Sequence, residues 1–173
     1  MLGIHNLKQS TPHEDVNTLL ERLLKEIRQI LKEQFLGAYL YGSLATGDFD
    51  QHSDIDVLIV TKEKLSEPLF LALQTMHDRL AAIDSPWAIQ MEVTYLSQDV
   101  LRRSDHSPHA YLDRGQGERL HWRKSKSDWN VERHIVREKG VILAGPDPSS
   151  LIGPVSADEL RKSVVDVLPL WID

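Results

Sequence analysis

Apolar residues recur every three or four positions from Pro12 to about Gln34, with charged residues on the other side, which predicts one amphipathic helix. Its start has a capping hydroxyl at Thr11, a proline at the first helical position and Glu14 three residues after the cap. Further along, the spacing of apolar residues predicts strands at 38–41, 55–60 and 89–96 and a helix at 68–83.

The pattern weakens between Arg102 and Lys139, where we predict a helix only at 128–139. A short strand at 141–143 and a last helix, opened by the capping box Ser156 to Glu159, follow. Strands that alternate with amphipathic helices predict an α/β (α+β) fold in which a mixed central sheet is flanked by helices. The length of 173 residues predicts a single domain, 1–173, with a catalytic core at 12–98 and a helical or loop extension at 99–173.

Composition narrows the range of functions. The net charge of −6 disfavours a protein that holds long nucleic acid through its phosphates, so a small or cationic partner is expected. No cysteine occurs, which excludes disulfides, thiolate metal sites and thiol catalysis. The first residues have no apolar signal core and no apolar run approaches the ~18 residues of a membrane span, so we expect a soluble, cytoplasmic protein without a membrane partner.

Two carboxylates lead the predicted strand at 55–60. Because side chains alternate between the faces of a strand, Asp54 and Asp56 point one way while Ile55, Val57 and Ile59 point the other. Like charges held this close repel each other, and a hard cation with oxygen ligands relieves that repulsion. The pair therefore predicts a Mg²⁺ site, which suits a triphosphate substrate.

Gly42 and Ser43 end the preceding predicted strand. Glycine has no Cβ, so backbone amides and the serine hydroxyl can approach a phosphate there. The Gly42-x4-Gly47 spacing is that of a Walker A loop, but Asp48 follows where lysine is required, which excludes a P-loop NTPase. We expect Gly42 and Ser43 to bind the nucleotide.

Glu92 lies on the third predicted strand, and on a sheet beside the Asp54/Asp56 strand it would reach the same face. Its expected roles are metal ligation and acceptance of the proton from an attacking hydroxyl. A glutamate on a strand is by itself more often a solvent-facing residue, so the interpretation depends on the combination with the two aspartates.

This combination, Gly42-Ser43, ten residues, Asp54-x-Asp56 and a later Glu92, resembles the nucleotidyltransferase superfamily with the DNA polymerase β-like fold. The order and spacing of further segments is similar to the N-terminal domain of aminoglycoside 3''-adenylyltransferases. Those segments are 53–58, 91–94, 141–146 and 154–171.

The resemblance implies that Asp54 and Asp56 hold Mg²⁺ with Glu92, that Gly42 and Ser43 bind the triphosphate beside Ser53, and that Glu92 is the catalytic base. It also implies ATP as the AMP donor and a hydroxyl of a streptomycin- or spectinomycin-type drug as the acceptor. The family continues into a helical C-terminal domain, which we expect to be absent from this chain.

Two other functions stay open. Small proteins with this fold also act as antitoxins or regulators that bind or adenylylate a helical partner protein, and an inactive chain could bind nucleotide without turnover. A homodimer or a helical partner protein is compatible with the sequence.

Other candidate residues are weaker. His106 and His109 have metal-ligand spacing, but Pro108 breaks a helix that would align them, so a loop with two solvated histidines is expected. Trp122 and Trp129 are expected to be core or surface residues rather than to stack on an acceptor.

Overall fold

The computed structural model describes residues 10–50, 52–103, 107–124 and 129–171. They form six helices and six strands, joined by short loops and two 3-10 turns. The helices are α1 (Glu14–Leu31), α2 (Gly42–Thr46), α3 (Glu67–Ala81), α4 (Gln98–Arg103), α5 (Trp129–Lys139) and α6 (Ala157–Trp171). The strands are β1 (Phe35–Tyr41), β2 (Ile55–Thr61), β3 (Met91–Ser97), β4 (His109–Asp113), β5 (His121–Arg123) and β6 (Val141–Ala144).

The six strands form one mixed sheet in the order β5-β4-β3-β2-β1-β6. The described residues form five pairs of neighbouring strands. Of these, β2 and β3 run parallel, and the other four pairs are antiparallel. A parallel pair requires a crossover connection, which α3 supplies. The start of β2 therefore lies beside the start of β3, although the two are far apart in sequence.

Apolar side chains cover both faces of the sheet. One face carries Ile55, Val57 and Ile59 in the same buried cluster as residues of α1 and α3. The other face carries Leu58 and Val60 in a second cluster with residues of α5. Because the side chains of β2 alternate, Asp56 belongs to the α5 face. These layers confirm the α/β (α+β) class with a mixed sheet flanked by helices.

The structure corrects the extension predicted as helix or loop at 99–173, because β4, β5 and β6 all lie there and join the sheet. Only β6 is close to a predicted strand, at 141–143. His109 is also corrected: it is buried on β4 and is not a solvated loop residue. His106 lies outside the described residues.

The two predicted capping motifs have different outcomes. Ser156 and Glu159 form the reciprocal capping box at α6, with the Glu159 amide donating to Ser156 Oγ and the Ser156 amide to Glu159 Oε2. Thr11 does not cap α1; its amide and hydroxyl both donate to the side chain of Asn17. The N-cap residue of α1 is His13, whose side chain makes no capping hydrogen bond.

No described helix is both long enough and apolar enough to cross a bilayer.

Candidate active site

The three carboxylates predicted from the sequence lie on one face at one end of the sheet. Asp56 and Glu92 are direct partners in the parallel register of β2 and β3, so their side chains stand next to each other. Asp54 lies two residues ahead of Asp56 and is exposed, whereas Asp56 and Glu92 are half-buried. Glu92 thus lies on the same side of the sheet as the two aspartates.

Gly42 is in contact with this carboxylate group. It opens α2 directly after β1, whose last residue, Tyr41, pairs with Asp56 across the sheet. Gly42 has a positive φ of 70°, and a Cβ built there would overlap the Asp56 carboxylate. Glycine is therefore required both by the backbone conformation and by the close approach. Ser43 follows in the first turn of α2, where amide groups have no partner inside the helix.

Ser53 lies just before Asp54 in the loop that leads into β2. Its hydroxyl donates to Asp50 Oδ1 at 3.0 Å and accepts from the Asp50 amide at 3.0 Å. These bonds close a tight turn ahead of Asp54. The role of Ser53 beside a phosphate remains a prediction.

A fourth carboxylate, Asp113, was not predicted because β4 was not predicted. Asp113 is the register partner of Glu92 on the other side of β3. Gly115 lies between Asp113 and Asp54, since a Cβ at this position would be 3.2 Å from an Oδ1 atom of each. The turn between β4 and β5 thus borders the carboxylate group.

This turn is tied to α3 by polar contacts. Arg114 Nη2 donates to Asp78 Oδ1 at 2.8 Å, and Arg119 Nη2 donates to Asp78 Oδ2 at 2.5 Å. Gln74 Nε2 donates to the Leu120 carbonyl at 2.7 Å. The β4–β5 turn is therefore held to the body of the domain at both of its ends.

Burial and mutual repulsion raise the pKa values of the predicted carboxylates. Loss of solvation is the largest cause for Asp56, followed by repulsion from Glu92 and Asp54, and its pKa is raised to about 8. Burial also raises the pKa of Glu92, and burial and Asp113 raise that of Asp54. Repulsion between close carboxylates of this kind is what a bound cation would relieve.

The donor chemistry of the group fits Mg²⁺. Carboxylate oxygens are the ligands that this ion prefers, and the missing Cβ of Gly42 leaves the space that the Asp56 carboxylate occupies. The described residues contain no set of three acidic or histidine side chains already gathered tightly enough to enclose an ion. Asp54, Asp56 and Glu92 are thus neighbours on one face rather than a closed cage.

The two tryptophans lie away from this group. Trp122 stacks on Phe70 of α3 with ring centroids 4.9 Å apart, on the face opposite to the carboxylates. Trp129 is buried at the start of α5. Both agree with the expected core or surface roles.

Comparisons with known proteins agree with this arrangement. The family model described as a nucleotidyltransferase domain matches residues 21–136, about two thirds of the chain. A solved structure with a similar fold is spectinomycin adenyltransferase AAD(9) from Enterococcus faecialis, crystallised with ATP and spectinomycin. It superposes with a TM-score of 0.74 at 20% identity, over 90% of this chain and 67% of that one.

Two curated relatives match along most of the chain. Spectinomycin 9-adenylyltransferase of Staphylococcus aureus is 26% identical over 174 residues, covering 94% of this chain and 64% of the relative. Aminoglycoside (3'') (9) adenylyltransferase of Shigella flexneri is 27% identical over 173 residues, covering 91% of this chain and 63% of the relative. The chain therefore spans less than two thirds of the length of these relatives. The resemblance and the fold inferred from the sequence are confirmed.

Proposed function

Because the chain belongs to the nucleotidyltransferase domain family, we propose that it transfers AMP from ATP, with Mg²⁺, to a hydroxyl group of a small acceptor of the aminoglycoside class. The observation that carries this proposal is the pairing of Asp56 with Glu92 in the β2–β3 register, with Gly42 against the Asp56 carboxylate. The names of the two adenylyltransferase relatives support the donor and the acceptor class.

Each predicted residue has a role in this reaction. Asp54, Asp56 and Glu92 would hold Mg²⁺, which neutralises charge on the triphosphate and stabilises the incoming and leaving oxygens. The amides and hydroxyl of Gly42 and Ser43, with Ser53, bind the phosphates.

Transfer is an in-line displacement at the α-phosphorus. The acceptor oxygen forms a bond to this phosphorus, the bond to the bridging oxygen breaks, and pyrophosphate leaves. Glu92 accepts the proton of the acceptor hydroxyl, which requires a carboxylate within hydrogen-bond reach of that oxygen. The half-buried position of Glu92 beside Asp56 suits this role, because the acceptor can approach from the exposed side at Asp54.

The test is incubation of the protein with Mg-ATP and either spectinomycin or streptomycin, followed by mass spectrometry for an added AMP. We expect AMP on the drug and release of pyrophosphate, and no transfer by Asp56→Asn. Asp84→Asn, in the exposed turn after α3, is the matched control and should transfer normally.

The products also separate the alternatives. AMP found on a protein rather than on a drug would replace the small acceptor by a partner protein. Binding of ATP without any product would indicate a chain that does not turn over. Full transfer by Asp56→Asn would remove the assignment of the metal site.

A further inference from the structure

Asp113 and Asp54 border one small space above Gly115, in the turn between β4 and β5. A Cβ built on Gly115 would lie 3.2 Å from the Oδ1 atom of each carboxylate, which is tighter than an ordinary van der Waals contact. Gly115 does not have a positive φ, so its backbone would accept an alanine. Glycine therefore provides open space between the two carboxylates here and not an unusual backbone conformation.

Asp113 has no basic partner within the part of the chain that the structure describes. Its Oδ1 atom accepts a hydrogen bond from the Gln116 amide at 3.1 Å, which closes the turn. The two arginines of the same turn both donate to Asp78 on α3, at 2.8 Å from Arg114 and at 2.5 Å from Arg119. The side chains of this turn that could neutralise Asp113 are thus held by another carboxylate.

Asp113 also lies beside the residue that we propose as the base. It is the register partner of Glu92 on the β4 side, whereas Asp56 is the partner on the β2 side. A single Mg²⁺ carries two positive charges, and four carboxyl groups lie at this end of the sheet. A positively charged group of the acceptor would therefore meet negative charge that the metal does not neutralise.

The proposed acceptor carries such groups. Two curated relatives are named for spectinomycin and for aminoglycosides, and drugs of these kinds have amines that are protonated at neutral pH. An ammonium group offers N–H donors to carboxylate oxygens, and hydrogen bonds between charged partners are stronger than neutral ones.

We propose that Asp113 is a specificity-determining residue that binds a protonated amine of the acceptor in the space above Gly115. This inference rests on the proposed function, because it states how the acceptor of that reaction is recognised. An amine bound there brings the rest of the acceptor next to Glu92, whose carboxylate takes the proton of the attacking hydroxyl.

The first experiment removes the charge of Asp113. Asp113→Asn keeps an oxygen that can accept from the Gln116 amide, so the turn is preserved. Calorimetric titration with spectinomycin, in the presence of Mg²⁺ and an ATP analogue that cannot be cleaved, measures affinity without turnover. We expect the Kd for spectinomycin to rise about tenfold or more and to depend less steeply on salt than in wild type. The Kd for the ATP analogue should stay within about twofold of wild type.

Asp99→Asn is the matched control for the loss of charge. Asp99 is exposed in the first turn of α4, which follows the other end of β3. This variant should bind spectinomycin as tightly as wild type does, with the same dependence on salt.

The second experiment fills the space and leaves every charge in place. Gly115→Ala puts a methyl group between the two carboxylates, and we expect the Kd for spectinomycin to rise about fivefold or more. Gly153→Ala is the control, because Gly153 has no positive φ and a Cβ there meets nothing within 4 Å. It should leave the Kd unchanged.

The outcomes separate this inference from the proposed function. An unchanged Kd for spectinomycin in Asp113→Asn overturns the inference, while AMP transfer to the drug by wild type still supports the function. If Asp113→Asn instead needs more Mg²⁺ to bind the ATP analogue and keeps its affinity for spectinomycin, Asp113 is a metal ligand and the inference is overturned. Binding of spectinomycin that depends on Asp113 without any AMP transfer supports the amine site and overturns the function. If wild type neither binds spectinomycin nor transfers AMP to it, both fail.

Discussion

Gly42 touches the carboxylate of Asp56, although Gly42 opens α2 and Asp56 lies on β2, beyond the loop that carries Ser53 and Asp54. The contact exists because β1 and β2 are antiparallel and Tyr41, the residue before Gly42, is the register partner of Asp56. The turn that we propose binds phosphate and the strand that we propose binds Mg²⁺ are therefore set against each other by the sheet itself.

Replacing Gly42 by alanine should remove activity. The Cβ would overlap the Asp56 carboxylate, and the positive φ adds about 1–2 kcal/mol of backbone strain. We expect transfer to fall by at least about 100-fold and the unfolding midpoint to drop. Gly47→Ala is the matched control, because Gly47 also has a positive φ but a Cβ there meets nothing within 4 Å. It should lose stability and keep most of its activity; equal losses in both variants would mean that strain alone explains the effect.

Stability should depend on pH and on Mg²⁺ in a linked way. The pKa of Asp56 in the folded protein, about 8, lies above the ordinary 3.8, so the folded state binds this proton more tightly than the unfolded chain. The stabilisation from the protonated group is present at low pH and is lost as the pH rises toward 8, with a slope of up to about 1.4 kcal/mol per pH unit. The raised pKa values of Asp54 and Glu92 act in the same direction.

The measurement is a series of unfolding midpoints between about pH 5 and pH 8, with EDTA or with excess Mg²⁺. The midpoint should fall toward higher pH in EDTA and fall less with Mg²⁺. Asp56→Asn should flatten the profile in EDTA and remove most of the Mg²⁺ effect. If the unfolding midpoint of this variant still depends steeply on pH and on Mg²⁺, groups other than Asp56 link stability to both.

Asp78→Asn should loosen the β4–β5 turn that borders Asp54. The Asp78 side chain is one third exposed, and Arg119 is largely exposed, so we expect a loss of only about 1 kcal/mol in the free energy of unfolding. The KM for the acceptor should rise, because Gly115 and Asp113 shift relative to Asp54. Unfolding and initial rates measure the two effects. Asp158→Asn, which breaks a solvent-exposed pair with Arg161, should change neither quantity.

Phe49→Ala should disturb the loop that leads to Asp54. Phe49 packs between His13 and Trp87, with ring centroids 5.0 Å from each, and so ties the loop to the start of α1. We expect a loss of about 1–3 kcal/mol in stability, a change in tryptophan fluorescence and a higher KM for ATP. Leu71→Ala, at an exposed position of α3, is the control. An unchanged KM for ATP would mean that the loop is held without Phe49.

Long, strongly patterned segments were predictable from the sequence. The apolar alternation of 55–60 located β2 and predicted a common face for Asp54 and Asp56, which the structure has. The spacing along α1 predicted its buried side. Glu92 was predicted on a strand that begins two residues earlier than β3 does; Ile89 is exposed ahead of the strand.

Strands β4 and β5 were not predictable in the same way. His109 to Asp113 contains a histidine and an aspartate, and β5 has only the three residues His121 to Arg123, so neither has a clear apolar alternation. The pairing of β4 with β3, and of β5 with β4, is a tertiary effect. The place of the fourth carboxylate, Asp113, opposite Glu92 depends on the pairing of β4 with β3 and was missed with it.

The division of the sheet into two faces has a practical consequence. The cluster that joins the sheet to α1 and α3 contains Ile55 and Val57. The side chains of Asp54 and Asp56, which alternate with them along the chain, lie on the other face of the sheet. An engineer can therefore repack the layer beneath α1 and α3 to raise thermal tolerance while leaving unchanged the carboxylates that we propose bind Mg²⁺. Screening for sturdier variants and screening for new acceptors can proceed on separate sets of positions.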